Sequence, residues 1–206
     1  SRRRGPMSRW SRWLTRLRAK GVDAQALPLI AIGPPGDDAP LREAWARLAD
    51  CGFVMFVSAN AVAGFFALRP PGAAWPAATL AGCTGPGTSA ALHAHGVPAA
   101  CIAEPPPEAA QFDSEALWHV IGARPWRGVR AIVVRGVGGR DWLAEQLAAQ
   151  GAQVTFVEAY RRSLPVLGDD ERALLQQAGD DPAQAVWLFS SSQAVQHLRQ
   201  LAPDAD

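Results

Sequence analysis

The sequence predicts an α/β fold in which short parallel strands alternate with helices. Apolar runs of strand length recur along the 206 residues, and most are followed by a segment with apolar residues at helical spacing. Three of these runs, at residues 53–57, 80–83 and 185–189, end in small polar residues that open a helix. A strand that leads into a helix and then into another strand forms a right-handed crossover between parallel neighbours.

The first helix is predicted over residues 8–20, where apolar side chains recur one helical turn apart. Trp10, Trp13, Leu14 and Leu17 have the i, i+3, i+4, i+7 spacing of an amphipathic helix. The first twenty residues also carry eight basic residues and no acidic one. A basic surface helix, a transit peptide and a membrane-surface helix all fit this composition. We favour the surface helix, because a glycine and a strand-like run follow it directly.

Proline and glycine divide the chain at two places. Residues 22–32 form an extended apolar run that contains Pro28, which suits an edge or connecting strand and not a central one. The turn-rich run 33–40 follows it, and Pro165 and Gly168 interrupt the chain again. We interpret both interruptions as boundaries. The remaining patterns predict helices at 41–49, 61–68, 88–95, 112–121, 141–150, 171–177 and 193–201, and strands at 53–57, 80–83, 99–103, 131–134, 154–162 and 185–189.

The composition argues against several classes of function. A formal net charge of +1 argues against a general nucleic-acid binder, and no apolar run reaches the length of a membrane span. Cys51, Cys83 and Cys101 form no CxxC pair and are expected to be buried, reduced thiols of a cytoplasmic protein. The four histidines lack metal-ligand spacing, so we expect no metal site. Lys20 is the only lysine, so Schiff-base chemistry would have to rest on a residue at a helix end.

Four loops at the predicted carboxyl ends of strands offer hydrogen-bond donors to an anion. Ligands of open α/β sheets bind at this edge, where helix N-termini present unpaired N–H groups. Hydroxyl groups are added by Ser58, Thr88, Ser190 and Ser191, and residues 135–140 form a glycine-rich loop. Each hydroxyl has the alternative role of an ordinary helix cap. Four such loops in one chain favour a polyanionic ligand that is held mainly by backbone amides.

The sequence lacks the common catalytic and nucleotide-binding motifs. The glycines at 136, 138 and 139 do not have the GxGxxG spacing of a dinucleotide site, and there is no GxxxxGK[ST] loop. The serine run 190–192 lacks the GxSxG elbow of a hydrolase. Glu115 and Glu145 are interpreted as parts of solvated helix faces and not as an acid–base pair.

Seven segments, in order along the chain, resemble the uroporphyrinogen-III synthase family. They cover the chain from about residue 12 to residue 201, and their common order makes the resemblance specific. The segments are LPLIAI at 27–32, FVSANAV at 56–62, GPGTSAAL at 85–92, FDSEAL at 112–117, VRGVGGRDWL at 134–143, VTFVEAYRR at 154–162 and LFSSSQAV at 188–195.

The resemblance implies an α/β fold of two flavodoxin-like parallel-sheet domains joined by a two-stranded β connector. The outer domain would comprise residues 1–26 and 165–206, the connector residues 27–34 and 154–164, and the inner domain residues 35–153. The active site of the family lies in the cleft between the domains. We expect a discontinuous and truncated outer domain, because no apolar strand precedes the Arg-Gly-Pro at 4–6 and the chain stops at Asp206.

The resemblance also implies a reaction, the lyase (hydro-lyase) step of tetrapyrrole and heme biosynthesis that forms uroporphyrinogen III. The small-molecule substrate would be hydroxymethylbilane, a linear tetrapyrrole with eight carboxylates that loses water and closes with ring D inverted. The family uses no cofactor and no metal. We expect a bacterial cytoplasmic monomer that binds neither nucleic acid nor membranes. Catalysis would rest mainly on positioning a flexible substrate.

Individual residues of this sequence take expected roles from the resemblance. Tyr160, the only tyrosine, matches the family's tyrosine that assists departure of the substrate hydroxyl. Two other hypotheses stay open: a non-catalytic two-domain module that binds a carboxylate-rich or phosphorylated ligand, and a stand-alone flavodoxin-like nucleotide binder that uses the glycine loop. The expected substrate-binding residues on the matching cleft loops are Ser58, Asn60, Gly87, Thr88, Arg135, Gly136, Ser190 and Ser191.

Overall fold

A computed structural model of the chain describes residues 9–189 and 191–202. The chain divides into two units, which are described separately below. The larger unit comprises Ile32–Arg162, and the smaller combines the residues before Ile32 with those after Arg162. The α/β class predicted from the sequence is confirmed, because strands and helices alternate through the larger unit.

The described part of the chain contains six strands and eight α-helices. The strands are β1 (Ala31–Gly33), β2 (Phe53–Phe56), β3 (Leu80–Cys83), β4 (Ile102–Ala103), β5 (Arg130–Gly136) and β6 (Gln153–Ser163). The helices are α1 (Arg9–Arg18), α2 (Ala39–Ala46), α3 (Ala59–Ala67), α4 (Pro86–Ala94), α5 (Ser114–Ile121), α6 (Trp142–Ala149), α7 (Asp169–Asp180) and α8 (Ser192–Leu201). Short 3-10 turns occupy Leu48–Asp50, Ala99–Cys101 and Pro182–Gln184.

All six strands belong to one sheet, in the order β1-β6-β5-β2-β3-β4. The central strand β2 runs parallel to β3 on one side and to β5 on the other, and β4 and β6 extend the sheet in parallel. All four residues of β2, with the sequence FVMF, are buried. An uninterrupted apolar run suits this position, because helices cover both faces of a parallel sheet.

Successive residues of β2 contribute to two separate cores. Val54 and Phe56 belong to a core with helices α2, α3 and α4, in which the rings of Phe56 and Phe65 are 5.4 Å apart between centroids. Phe53 and Met55 belong to a second core with α5 and α6 on the other face. Full burial of one such side chain stabilises the fold by about 1.5–3 kcal/mol. The two cores hold the sheet between helical layers and keep the carboxyl ends of its strands in one row.

The strand predicted at residues 185–189 is wrong. Val186 and Leu188 are 98% and 71% exposed, and the segment has no strand conformation. A strand needs a neighbour for its backbone hydrogen bonds, and the described residues of the smaller unit contain no strand apart from the ends of β1 and β6. β-branched and aromatic composition alone therefore does not place this run in a sheet.

Two other strands are shorter than predicted. Within the run 22–32, strand structure begins only at Ala31, beyond Pro28, which has no N–H to donate. Within the run 99–103, the first three residues form a 3-10 turn in which Cys101 N–H donates to the Pro98 carbonyl at 2.8 Å. β1 and β6, which the family resemblance assigns to a connector, are neighbours in the same sheet as β5.

Helices and an extended segment make up the described part of the smaller unit. The buried His197 of α8 donates from Nδ1 to the Leu29 carbonyl, with 2.6 Å between the two atoms. Arg18 of α1 donates from Nε to the Ala24 carbonyl at 2.8 Å. These bonds pair two backbone carbonyls of the extended run after α1.

The described helices include none that is both long and apolar enough to cross a membrane. The described residues also bring together no group of three or more histidine, cysteine or acidic side chains that could hold a metal ion. Cys51, Cys83 and Cys101 are unpaired and buried, as predicted.

We expect the thiol of Cys83 to resist alkylation in the folded protein at about pH 8, because the thiolate is the reactive form. Burial, together with the charge of Glu104, raises the pKa of Cys83 from 9.0 to about 12. Mass spectrometry after iodoacetamide treatment would report the modified sites, with the same reaction in denaturant as the control.

The same pKa shift has a consequence for stability. The folded state holds the Cys83 proton more tightly than the unfolded state, so this contribution to stability is complete below about pH 9 and is lost as the pH rises through about 12. Rapid alkylation of native Cys83 at neutral pH would contradict the burial described here.

Candidate functional site

Several of the residues predicted to bind a ligand lie at or after the carboxyl ends of strands at one edge of the sheet. Ser58 comes shortly after β2, Gly136 ends β5, and Tyr160 lies near the end of β6. Because these strands are parallel, their carboxyl ends share that edge. The topology therefore brings residues from three separate parts of the sequence into one region.

A β-bulge in β6 decides which face of the sheet Tyr160 occupies. Arg135 of β5 lies opposite Glu158, but the next residue, Gly136, lies opposite Tyr160, so Ala159 is an extra residue in β6. Because side chains alternate along a strand, one extra residue moves the later side chains to the other face. Tyr160 consequently joins Ala159 in the core on the α3 side, with 4% of its surface exposed.

Gly136 provides the space that the ring of Tyr160 occupies. A Cβ atom at position 136 would lie 2.9 Å from the ring atoms Cε2 and Cζ and 3.3 Å from the carbonyl oxygen of Tyr160. Gly136 is itself buried beneath the ring. Its observed role is thus to seat the tyrosine, while its expected contact with substrate stays a prediction.

The hydroxyl groups of Ser58 and Tyr160 are hydrogen-bonded although they are 102 residues apart in sequence. Ser58 Oγ donates to the Tyr160 hydroxyl at 3.3 Å and accepts from the Ala61 N–H at 3.2 Å as the N-cap of α3. Gly64 lets α3 come this close to β6, since a Cβ there would lie 2.1 Å from the Ala159 carbonyl oxygen. The helix cap predicted at Ser58 therefore also orients the tyrosine.

A cavity of about 620 Å³ lies beside Tyr160, between α3, the end of β6 and the turn-rich run 32–38. Its charged lining is acidic and consists of Asp37 and Asp38. Asp38 accepts a hydrogen bond from Arg42 at 2.8 Å, and this partner holds the pKa of the Asp38 carboxyl below its usual value. Asp37 accepts from the Ala39 N–H at 2.9 Å.

An ion pair fastens one wall of this cavity to β6. Arg161 donates from Nε to Glu158 Oε1 at 2.5 Å, and the Gly36 N–H donates to the same oxygen at 3.3 Å. The hydrogen bond from Arg161 is the larger cause of a lowered pKa at Glu158, and the bond from the Gly36 amide adds to it. The turn at Gly36 is thereby attached to the strand that carries Tyr160.

Three predicted binding residues lie at helix N-termini. Asn60 is exposed in the first turn of α3 and lines the cavity. Gly87 is exposed and Thr88 is buried in the first turn of α4, and neither belongs to the cavity lining. Ser89, the next residue, bonds to Glu104 at 2.9 Å and ties α4 to the end of β4.

The side chain of Arg135 is already engaged within the larger unit. Its guanidinium forms an ion pair with Asp141 and lies 4.0 Å from the ring centroid of Phe156, with 19% of the side chain exposed. The pair spans the glycine loop and fixes the start of α6. Whether Arg135 also contacts substrate stays a prediction.

A second ion pair holds the far end of the glycine loop. Arg140 donates to Glu115 Oε1 of α5 at 2.5 Å, after Gly138 and Gly139 turn the chain with positive φ angles. The other Glu115 oxygen is buried and has no hydrogen-bond partner among the described residues. The side chain of Glu115 is nevertheless 38% exposed, which agrees with its interpretation as part of a solvated helix face. Glu145 is exposed, as predicted.

The remaining predicted site residues belong to the smaller unit. Ser191 is the N-cap of α8 and accepts from the Ala194 N–H at 3.4 Å. Ser190 lies outside the described residues.

Sequence reasoning missed several residues around Tyr160. Gly64 gives no signal in sequence, because its role depends on how closely α3 approaches β6. Arg162 follows Tyr160 by two residues, and strand alternation could have identified it as a neighbour on the same face. Asp37 lies in the run 33–40, which the sequence predicts only to be rich in turns.

Comparison with known proteins gives one consistent family. The family model described as "Uroporphyrinogen-III synthase HemD" matches residues 11–206. A uroporphyrinogen-III synthase of Salmonella typhimurium is 36% identical over 150 residues, which cover 72% of this chain and 59% of that protein. The uroporphyrinogen-III synthase of Escherichia coli is 31% identical over 193 residues, which cover 92% of this chain and 74% of that protein. The chain therefore spans only part of these relatives.

A solved structure supports the fold. A mutant uroporphyrinogen III synthase from Thermus thermophilus superposes with a TM-score of 0.58 at 18% identity, covering 96% of this chain and 75% of the other.

We expect Gly136→Ala to displace the Tyr160 ring and to lower the free energy of unfolding by about 1–3 kcal/mol, as overpacking does in well-packed cores. Because the chain has a single tyrosine, an isotope-labelled tyrosine gives one ring signal in an NMR spectrum, and that signal should shift.

Gly87→Ala is the matched control for this substitution. A Cβ at Gly87 would meet no atom within 4 Å and the residue has no positive φ, so stability should be unchanged or slightly higher. A Gly136→Ala protein with unchanged stability and an unshifted tyrosine signal would refute the claim that Gly136 provides the space for the Tyr160 ring.

Proposed function

Since the chain belongs to the uroporphyrinogen-III synthase family, we propose that it converts hydroxymethylbilane into uroporphyrinogen III with inversion of ring D. This reaction belongs to tetrapyrrole biosynthesis. The observation that carries the proposal is the hydrogen-bonded pair of Ser58 and Tyr160 beside the cavity. In the proposal the protein is a hydro-lyase that acts as a cytoplasmic monomer without metal or cofactor.

The reaction begins when the substrate hydroxyl leaves. The bond between the terminal carbon and its hydroxyl breaks, a proton joins the departing oxygen, and water and a cation-like azafulvene result. The substituted carbon of ring D then attacks this carbon and forms a spiro intermediate. The bond between ring D and its original bridging carbon breaks, that carbon bonds to the free α carbon of ring D, and the proton of the α carbon leaves, so that ring D is inverted. The protein must therefore assist the loss of hydroxide and hold the flexible chain in a reactive geometry.

Tyr160 is suited to assist the departing hydroxyl. A tyrosine hydroxyl both donates and accepts, and in this pair Ser58 donates to the Tyr160 oxygen. The proton of Tyr160 is then available to a ligand in the cavity that Tyr160 lines. Ser58 stays oriented because the Ala61 N–H donates to its oxygen. We assign to Tyr160 a hydrogen bond to the leaving oxygen and to Ser58 the positioning of Tyr160.

The cavity suits the charge that develops on the substrate. Its volume of about 620 Å³ lies within the range of small-molecule sites, about 300–1,000 Å³. Asp37 and Asp38 line it; Asp38 is paired with Arg42, whereas Asp37 has no ion pair among the described residues. Fixed negative charge near a carbon that becomes positive stabilises the transition state for loss of the hydroxyl.

The substrate carboxylates need donors outside this acidic lining. Helix N-termini such as those of α3 and α4 favour anions, although the Thr88 N–H already donates to the Gly85 carbonyl at 3.0 Å. We keep Asn60, Gly87 and Thr88 in the proposal on this ground. The other residues kept from the family resemblance are Arg135, Gly136, Ser190 and Ser191.

We expect Tyr160→Phe to lower kcat for formation of isomer III on the order of 100-fold, because it removes the donor to the leaving hydroxyl. The ratio of isomers III to I, measured by chromatography of the oxidised products, should fall as uncatalysed closure without inversion competes. Ser114→Ala, which changes a serine that is not a helix cap, is the control and should resemble the wild type.

Ser58→Ala should lower kcat on the order of 10-fold and cost about 1 kcal/mol of stability, because it removes both the partner of Tyr160 and a helix cap. The double variant with Tyr160→Phe should be little slower than Tyr160→Phe alone, since Ser58 acts through the tyrosine. If the losses of kcat in the two single variants add up in the double variant, Ser58 does not act through Tyr160. A folded wild-type protein that yields only isomer I would refute the proposed activity itself.

A further inference from the structure

Arg162 lies beside Tyr160 on the exposed side of the site. The two residues are both in β6, two positions apart, so their side chains project from the same face. The guanidinium carbon of Arg162 is 5.8 Å from the centroid of the Tyr160 ring. Tyr160 is buried, whereas Arg162 is exposed to solvent. The guanidinium is thus held next to the ring and remains accessible to a ligand.

The charge of Arg162 is not neutralised by any carboxylate among the described residues. Other arginines of the larger unit behave differently: Arg161 pairs with Glu158, and Arg135 pairs with Asp141. Ion pairs also occupy Arg42, Arg47, Arg130 and Arg140. Arg69, Arg124 and Arg127 also lack a carboxylate partner among the described residues, so Arg162 is distinguished by its position beside the tyrosine.

We propose that Arg162 binds a carboxylate of the substrate and so holds the tetrapyrrole against Tyr160. This inference rests on the proposed function, because it names the residue that would receive one acidic side chain of hydroxymethylbilane. A guanidinium presents parallel N–H donors that match the two oxygens of a carboxylate.

The charge of the cavity lining supports this assignment. Asp38 is paired with Arg42, whereas Asp37 has no ion pair among the described residues, so the cavity lining disfavours a substrate carboxylate through Asp37. Arg162 offers the opposite charge in contact with the same tyrosine. If Arg162 binds one carboxylate of the substrate while the reacting carbon lies near Tyr160, the two contacts together orient one end of the linear molecule.

The test compares Arg162→Gln with Arg127→Gln as a matched control. Both arginines are exposed and without an ion pair among the described residues, but Arg127 precedes β5, at the amino edge of the sheet. Steady-state kinetics with hydroxymethylbilane at two salt concentrations would give KM and kcat. Quenching of tryptophan fluorescence by uroporphyrin III, a stable octacarboxylate related to the product, would report binding directly.

We expect Arg162→Gln to raise KM about three- to tenfold and to weaken uroporphyrin binding by a similar factor, with kcat changed less than KM. The increase of KM with salt should become shallower, because one charge contact is gone. Arg162→Lys should be intermediate, and Arg127→Gln should match the wild type.

Equal KM values for Arg162→Gln, Arg127→Gln and the wild type would overturn the inference and leave the proposed function intact. Formation of isomer I alone by the wild type would overturn both. Circular dichroism of Arg162→Gln verifies folding, and the kinetics of Arg162→Lys provide the same test if the glutamine variant does not fold.

Discussion

The site depends on a single irregularity in the pairing of β5 and β6. Ala159 is an extra residue in β6, and it turns Tyr160 toward α3 instead of toward α5 and α6. Only on the α3 side can the tyrosine meet Ser58 and the cavity. This arrangement requires a residue without a side chain opposite Tyr160, because that residue lies directly beneath the tyrosine ring. Glycine at position 136 meets that condition.

The distribution of charge around Tyr160 follows from which arginines find partners. Arg135 and Arg161 form ion pairs with carboxylates of their own unit. The first pair holds the glycine loop, and the carboxylate of the second also accepts a hydrogen bond from the turn at Gly36. In the cavity lining Asp38 is paired with Arg42 and Asp37 has no ion pair among the described residues, while Arg162 has no carboxylate partner next to the ring. A substrate with negative side chains and a reacting carbon that becomes positive requires this separation of signs. The geometry thus agrees with the proposed chemistry through electrostatics and positioning.

Local features of the fold could be predicted from the sequence. The apolar run of β2 and the cap at Ser58 depend on a few neighbouring residues, and the structure agrees with both. The predicted strand at 185–189 failed because a strand exists only beside a partner, and the sequence does not say whether one is available. The ion pair between Glu115 and Arg140 could not be predicted for a related reason, since Arg140 comes from another loop.

The sequence by itself determined the α/β class, the polar loops that follow the strands, and Tyr160 as the only candidate for a tyrosine role. These follow from periodicity, capping and composition, which are properties of neighbouring residues. The tertiary structure alone decided that Ser58 reaches Tyr160 across 102 residues, that Gly136 lies beneath its ring, and that Arg162 stays unpaired among the described residues. Strand register, helix approach and competition among ion pairs set these contacts, and all three depend on residues that are distant in sequence.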